Sequence, residues 1–173
     1  MLSDSSKYAQ ILREGDISSI LNDIKTIVMS TLEKAIEIAI KAHRGQTDKS
    51  GAPYILHPLR VMERGNTDIE KICGILHDVI EDTEITFKDL ENEGFTNDVI
   101  EVLKLVTKES ENEDYNHFIE RIIINTTAIK VKINDLKDNL DITRFETLNE
   151  NDLKRLNKYL AAYKTLTNQL FTH

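Results

Sequence analysis

Only two prolines and six glycines interrupt 173 residues, while apolar residues return again and again at the helical period. A strand-rich fold needs many tight turns and the residues that make them, so this pattern predicts an all-helical bundle. The period is clear at Ile17, Ile20, Leu21, Ile24, Ile27 and Val28, and again at Leu32, Ala35, Ile36, Ala39, Ile40 and His43. It recurs at Val99, Ile100, Leu103 and Val106, at Tyr115, Phe118, Ile119, Ile122 and Ile123, and from Leu153 through Leu156, Leu160, Tyr163 and Leu166 to Leu170. Residues 126–140 fit two patterns. Ile129, Val131 and Ile133 alternate as in a strand, whereas Ala128, Ile129, Ile133, Leu136 and Leu140 suit a helix; with no partner strand in view, helix is the reading. Predicted caps are Ser30 in a box with Glu33, Asp68, Thr86 and Thr96, with Gly45 and Gly94 closing helices. No linker divides the chain, so residues 1–30 are expected to form a helical extension and 31–173 a single domain.

Charge narrows the partners. A net charge of −8 argues against binding a nucleic-acid polymer, which needs a basic surface to displace counterions. A small anionic ligand stays open, because a metal and a few lysines reverse the field within one pocket. No apolar run approaches bilayer length, and the first residues lack the basic start and apolar block of a signal peptide. The lone Cys73 excludes an internal disulfide and a cysteine-cluster zinc site, and it falls on an apolar face as a packing residue. These features predict a cytoplasmic protein without a membrane partner. The amphipathic segment before residue 30 invites a homodimer.

Candidate chemistry concentrates in Leu76-His77-Asp78-Val79-Ile80-Glu81-Asp82. Ile69, Ile72, Cys73, Leu76 and Ile80 run at helical spacing through it, which predicts one amphipathic helix. On that helix His77 and Glu81 are four apart, and Asp78 and Glu81 three apart, so they share a wall. Three carboxylates this close repel one another unless a cation lies among them; the bland alternative is a solvated polar face. Two more positions join the set from elsewhere in the chain. His57 precedes Pro58, a residue suited to the first helical position, which puts the imidazole at an N-cap as either a cap or a ligand. Asp135 follows near the end of the predicted 126–140 helix. Two imidazoles and two carboxylates suit a first-row divalent ion with open positions for water. His43 on its apolar stripe reads as a hydrogen-bonded core residue, and His117 as surface.

The ordered motifs resemble a known family, the HD-domain phosphohydrolases, and within it the alarmone hydrolases of the RelA/SpoT group. The likeness spans about residues 31–145. It rests on Ala42-His43-Arg44-Gly45-Gln46, on the run from Lys49 to Pro58, on Leu76 to Thr83, on Val106-Thr107-Lys108 and on Val131-Lys132-Ile133-Asn134-Asp135. The resemblance implies an all-α HD-domain helical bundle. It also implies that His57, His77, Asp78 and Asp135 bind one divalent metal, commonly Mn2+, and that Glu81 and Asp82 act on the attacking water. The implied reaction removes the 3′-pyrophosphate of guanosine 3′,5′-bis(pyrophosphate), and Lys49, Ser50 and Asn139 match substrate contacts.

Two positions depart from the family pattern. Asp48 stands where an arginine usually lies against the guanine base, and Asp141 where another arginine is common. Arg44, Lys49, Arg60, Lys132, Lys137 and Arg144 are the cations that could compensate. The departures keep open the same chemistry on another nucleotide or a phosphorylated cofactor. From a different class, a non-catalytic HD-fold binding module is the rival; the intact set of His, Asp and Glu side chains argues against it.

Overall fold

The computed structural model describes residues 31–110 and 112–171, so the predicted N-terminal extension lies outside the described residues. Within them the chain forms nine α-helices and one 3-10 turn, with a lone bridge between Thr47 and Pro53 and no named strand. The helices are α1 (Leu32–Ala42), α2 (Leu56–Glu63), α3 (Asp68–Leu76), α4 (Val79–Asp82), α5 (Phe87–Asn92), α6 (Asn97–Val106), α7 (Tyr115–Ile123), α8 (Thr126–Asn139) and α9 (Glu150–Phe171). The 3-10 turn, Ile142–Arg144, joins α8 to α9. None of the described helices is long and apolar enough to cross a membrane.

The ambiguous segment is helical, as expected, and central. Asn125 caps α8 by accepting from the Ala128 N–H, and α8 then packs against α2, α3, α6, α7 and α9. Its Ala128, Ile129, Val131, Ile133 and Leu136 are buried, along with Ile75, Leu76, Leu90, Leu103, Phe118, Ile122 and Leu166 from around it. With no partner strand, only a helix satisfies the backbone N–H and C=O groups of a segment this buried.

Local registers depart from expectation in four places. The α1 cap is Thr31, whose hydroxyl accepts from Lys34 N–H, in place of the Ser30–Glu33 box. The helix buries Ala35, Ile38 and Ala39 and leaves Ile40 at 46% exposure, so the inward stripe is rotated. Thr67, one residue before Asp68, caps α3. In α9, Asp152, Leu156, Ala162 and Leu166 face inward while Leu153 and Leu160 are exposed, because the face that meets α7 and α8 selects the register. Thr86 and Thr96 precede α5 and α6 as expected, Thr86 in a reciprocal box with Asp89.

Two further differences shape the site. α2 begins at Leu56 behind an Ile55 cap that makes no side-chain bond, so His57 sits in the first turn and not at the cap. Pro58 is tolerated next to it because first-turn N–H groups lack helical partners anyway. The predicted helix through residues 69–82 is broken: α3 ends at Leu76, His77 and Asp78 form the corner, and α4 restarts at Val79. Gly74 lets α3 approach α2, since a Cβ there would lie 3.1 Å from the Met62 backbone.

Candidate metal centre and anion pocket

His77 shows most directly what the corner does. Its Nδ1 donates to the Gly74 carbonyl at 2.8 Å, which places the ring proton there and leaves Nε2 as a lone pair. That Nε2 is buried and has no hydrogen-bond partner. It lies 3.1 Å from Asp78 Oδ2 and 3.6 Å from Asp135 Oδ1. From α2, His57 Nε2 meets the same two oxygens at 3.4 and 3.3 Å. Donor atoms of His57, His77 and Asp78 all fall within 4.8 Å of one another. Ligands about 2.1 Å from a shared first-row ion stand roughly 3.0–3.4 Å apart for octahedral or tetrahedral angles. The spacing and the orphaned buried nitrogen both fit a divalent cation.

Electrostatics point the same way. Burial favours neutral imidazoles, yet Asp135, Asp138 and Asp78 override it and push His57 up to about 11. His77 is likewise raised to about 9 against its burial, by Asp78 and Asp135. Burial works against ionisation of Asp78 and Asp135 too, but the imidazoles, with Lys132 beside Asp135, hold both well below the usual carboxylate range. The group demands positive charge, whether from protons or from a metal ion.

Further contacts hold these side chains in place. The Tyr54 hydroxyl reaches Asp78 Oδ2 at 2.6 Å and Asp82 Oδ2 at 3.1 Å. Asn139 Nδ2 donates to Asp135 Oδ1, and Lys132 Nζ pairs with Asp135 Oδ2 at 2.6 Å. Buried His43 bonds Gln46, whose amide donates to the Asp82 carbonyl, tying α1 to the end of α4.

A cavity of about 340 Å³ opens over the cluster. Of the nine residues predicted for the site, His57, Asp78, Glu81, Asp82, Asp135, Lys49, Ser50 and Asn139 line it. His77 lies beneath, 2% exposed. Glu81 is drawn to Lys108, Oε1 to Nζ 2.6 Å. Burial and then the neighbouring Asp78 raise the Asp82 carboxyl above its ordinary range.

Sequence reasoning missed several lining residues. Arg155, Lys158 and Tyr159 come from α9, a helix whose apolar spacing by itself speaks only of packing; Lys108, Tyr115 and Phe145 complete the wall. Lys158 is held below the usual lysine range by burial and by Lys108, Lys132 and Arg155, which marks a concentration of positive charge. Their signal was a polar face on α9 one turn apart at residues 155, 158 and 159, which reads equally well as solvated surface. Asp138 was also missed. It is 1% exposed, one turn after Asp135, and faces His57.

The two departures from the family pattern are not free anions over the substrate space. Asp48 Oδ1 accepts from Ser50 N, Ser50 Oγ and Ala52 N, closing the loop, and Oδ2 lies 3.7 Å from Arg144 Nη1. Asp141 accepts from the Thr143 hydroxyl and backbone at the 3-10 turn. Of the cations expected to compensate, Lys49, Lys132 and Arg144 line the cavity, whereas Arg60 pairs with Asp138.

No protein-family model matches the chain. A GTP pyrophosphokinase of Streptomyces coelicolor is 42% identical over 74 residues, 40% of this chain and 9% of that protein. A guanosine-3′,5′-bis(diphosphate) 3′-pyrophosphohydrolase of Borreliella burgdorferi is 33% identical over 100 residues, half of this chain and 15% of that one. The bifunctional (p)ppGpp synthase/hydrolase SpoT of Escherichia coli is 45% identical over 64 residues, 35% of this chain and 9% of its own length. The chain thus spans only about a tenth of the length of such curated relatives. In fold it is similar to a solved metazoan ortholog of SpoT, with a TM-score of 0.66 and 24% identity, covering 80% of this chain and 84% of that one. The chain therefore shares its helical fold with the SpoT ortholog, and its sequence matches are to short stretches of alarmone synthases and hydrolases.

Proposed function

We propose that the protein is a metal-dependent phosphohydrolase that removes the 3′-pyrophosphate of guanosine 3′,5′-bis(pyrophosphate). One observation carries this reading: four ligand-type side chains, including the orphaned His77 Nε2, meet at the floor of a pocket that six Lys and Arg side chains also line. The named activities of the relatives support the substrate class.

His57, His77, Asp78 and Asp135 would hold the divalent ion, which we take to be Mn2+. When bound, such an ion lowers the pKa of water from about 15.7 toward neutrality and draws charge from a phosphoryl oxygen. Glu81 and Asp82, on the α4 wall of the pocket, are the groups to orient the attacking water and take its proton. Tyr54 restrains Asp82, and Lys108 restrains Glu81 while offering its own charge to the phosphates. Water oxygen bonds to the phosphorus next to the ribose, the bond to O3′ breaks, and O3′ takes up a proton. The products are pyrophosphate and GDP. Lys49, Ser50 and Asn139 would contact substrate, with Arg144, Arg155 and Lys158 balancing charge and Phe145 or Tyr159 offering a face to the base. Residues 31–173 would constitute the catalytic domain, in a cytoplasmic protein that pairs as a homodimer.

A second reading keeps the chemistry and changes the substrate to another nucleotide or a phosphorylated cofactor. It is favoured by Asp48, which stands where the resembled family usually has an arginine for the base, and which ties up Arg144. Incubating a nucleotide panel with Mn2+ and following phosphate and pyrophosphate release decides between them. Release of pyrophosphate from the alarmone far faster than from simple nucleotides, abolished by His77→Ala or Asp78→Ala, is the expected result. Equal or slower turnover of the alarmone selects the second reading. No turnover with metal bound turns the assignment to a binding module.

A further inference from the structure

We propose that Asp138 is the positioning residue for His57: its carboxylate, clamped by Arg60, Arg64 and Arg144, holds the Nδ1 proton and leaves Nε2 as the lone pair turned toward the cation position. The proposal rests on the metal reading above.

A neutral imidazole has one ring proton, and a ligand nitrogen must be the other one. What holds the first proton therefore decides which nitrogen can bind a metal. His57 Nδ1 lies 2.8 Å from Asp138 Oδ2, while its Nε2 faces Asp78 and Asp135. Asp135 and Asp138 are three apart on α8, so both carboxylates project from one face and take opposite edges of the same ring. The two imidazoles are supported differently. His77 donates to a neutral carbonyl, whereas His57 donates to a full negative charge, which makes its ring the more basic ligand.

The clamp makes this arrangement stiff. Arg60 donates from Nε to Oδ1 at 2.7 Å and from Nη2 to Oδ2 at 2.9 Å, a paired geometry that fixes the carboxylate plane. Arg64 adds Nη1 to Oδ1 at 3.1 Å and also bonds the Arg60 carbonyl. Arg144 anchors the main chain by donating to the Asp138 carbonyl at 2.7 Å. Pairing with Arg60 and Arg64 alone would not require burial, since those side chains are 31% and 35% exposed and could pair in water. Asp138 is 1% exposed and meets His57 on the inward side, where Arg144 Nη2 also lies 3.4 Å from Oδ2.

The test measures Mn2+ affinity of the metal-stripped full chain by calorimetry for wild type, Asp138→Asn and Glu70→Gln. Glu70 is a buried carboxylate paired with Lys130 away from the cluster, so its substitution perturbs stability without touching His57. Asp138→Asn is expected to weaken Mn2+ binding about 10–100-fold, the range for lost outer partners of ligating histidines, with Glu70→Gln close to wild type. Equal affinities for Asp138→Asn and wild type, or an equal loss in Glu70→Gln, overturn the proposal while leaving the metal reading intact. A wild type that takes up no divalent ion overturns the metal reading first. Nitrogen-15 NMR of the histidine rings in the Zn2+-loaded wild type gives a second arm that does not depend on any variant folding. A protonated Nδ1 and a metal-shifted Nε2 at His57 are expected; the reverse pattern overturns the proposal.

Discussion

His77 and Asp78 are adjacent in the chain, yet His77 Nε2 and Asp78 Oδ2 come within 3.1 Å of each other. On an unbroken helix neighbouring side chains diverge by about 100° and do not face each other. The corner between α3 and α4 turns both inward, so one short segment supplies two of the four converging groups. A divalent ion held there binds the folded chain and not the unfolded one. Chelation is accordingly expected to lower thermal stability by about 2.7 kcal/mol if metal had been present at roughly 100 times its Kd. His77→Ala should show no chelator-dependent shift, as read by thermal denaturation with and without EDTA.

Lys108 and Glu81 form a close ion pair on the pocket wall, at 2.6 Å. Lys108→Ala would remove the proposed charge-assisted contact to the phosphates and free Glu81 from its ion pair. A charge-assisted bond is worth about 1.5–3 kcal/mol, so kcat/KM for the alarmone should fall about 10–150-fold. Steady-state kinetics check this, with the loss carried chiefly by KM.

Glu70 links pH to stability at a distance from the site. Burial opposes its ionisation, but the Asn66 N–H and the Lys130 ammonium outweigh burial and hold it below the ordinary value of 4.5. A depressed folded-state pKa means that the stabilisation is complete above about 4.5 and is lost as pH falls through the folded value. Glu70→Gln is expected to cost about 1–3 kcal/mol at pH 7 and to flatten the acid limb, because wild type loses the same interaction on acidification. Urea denaturation at pH 7 and at pH 3.5 measures both effects.

Gly74 stands where α3 crosses α2, and a Cβ at this position would meet the Met62 backbone at 3.1 Å. Backbone cannot rotate away as a side chain can. Gly74→Ala should therefore destabilise by about 1–3 kcal/mol, despite the higher helix propensity of alanine, through overpacking. Because the Gly74 carbonyl accepts from His77 Nδ1, the variant should also weaken metal uptake. Calorimetry of unfolding and of Mn2+ binding reads the two effects separately.

Much of the architecture was legible from periodicity alone. Leu103 with Val106, Phe118 with Ile122, and Ile133 with Leu136 are spaced for a helix, and all six are buried. Chain order likewise exposed His57, His77, Asp78 and Asp135 as one candidate set, since two imidazoles and two carboxylates together suit a divalent ion. Tertiary packing decided what sequence spacing cannot encode: the break at His77, the rotation of α1 and α9 about their axes, and the inward course of Asp138. A helix's own pattern leaves its rotation free by a residue or so, and its neighbours choose the face. The charge of a side chain is written in the sequence, but whether Asp48 opposes a substrate or closes its own loop depends on which donors the fold brings to it, and here those are Ser50, Ala52 and Arg144.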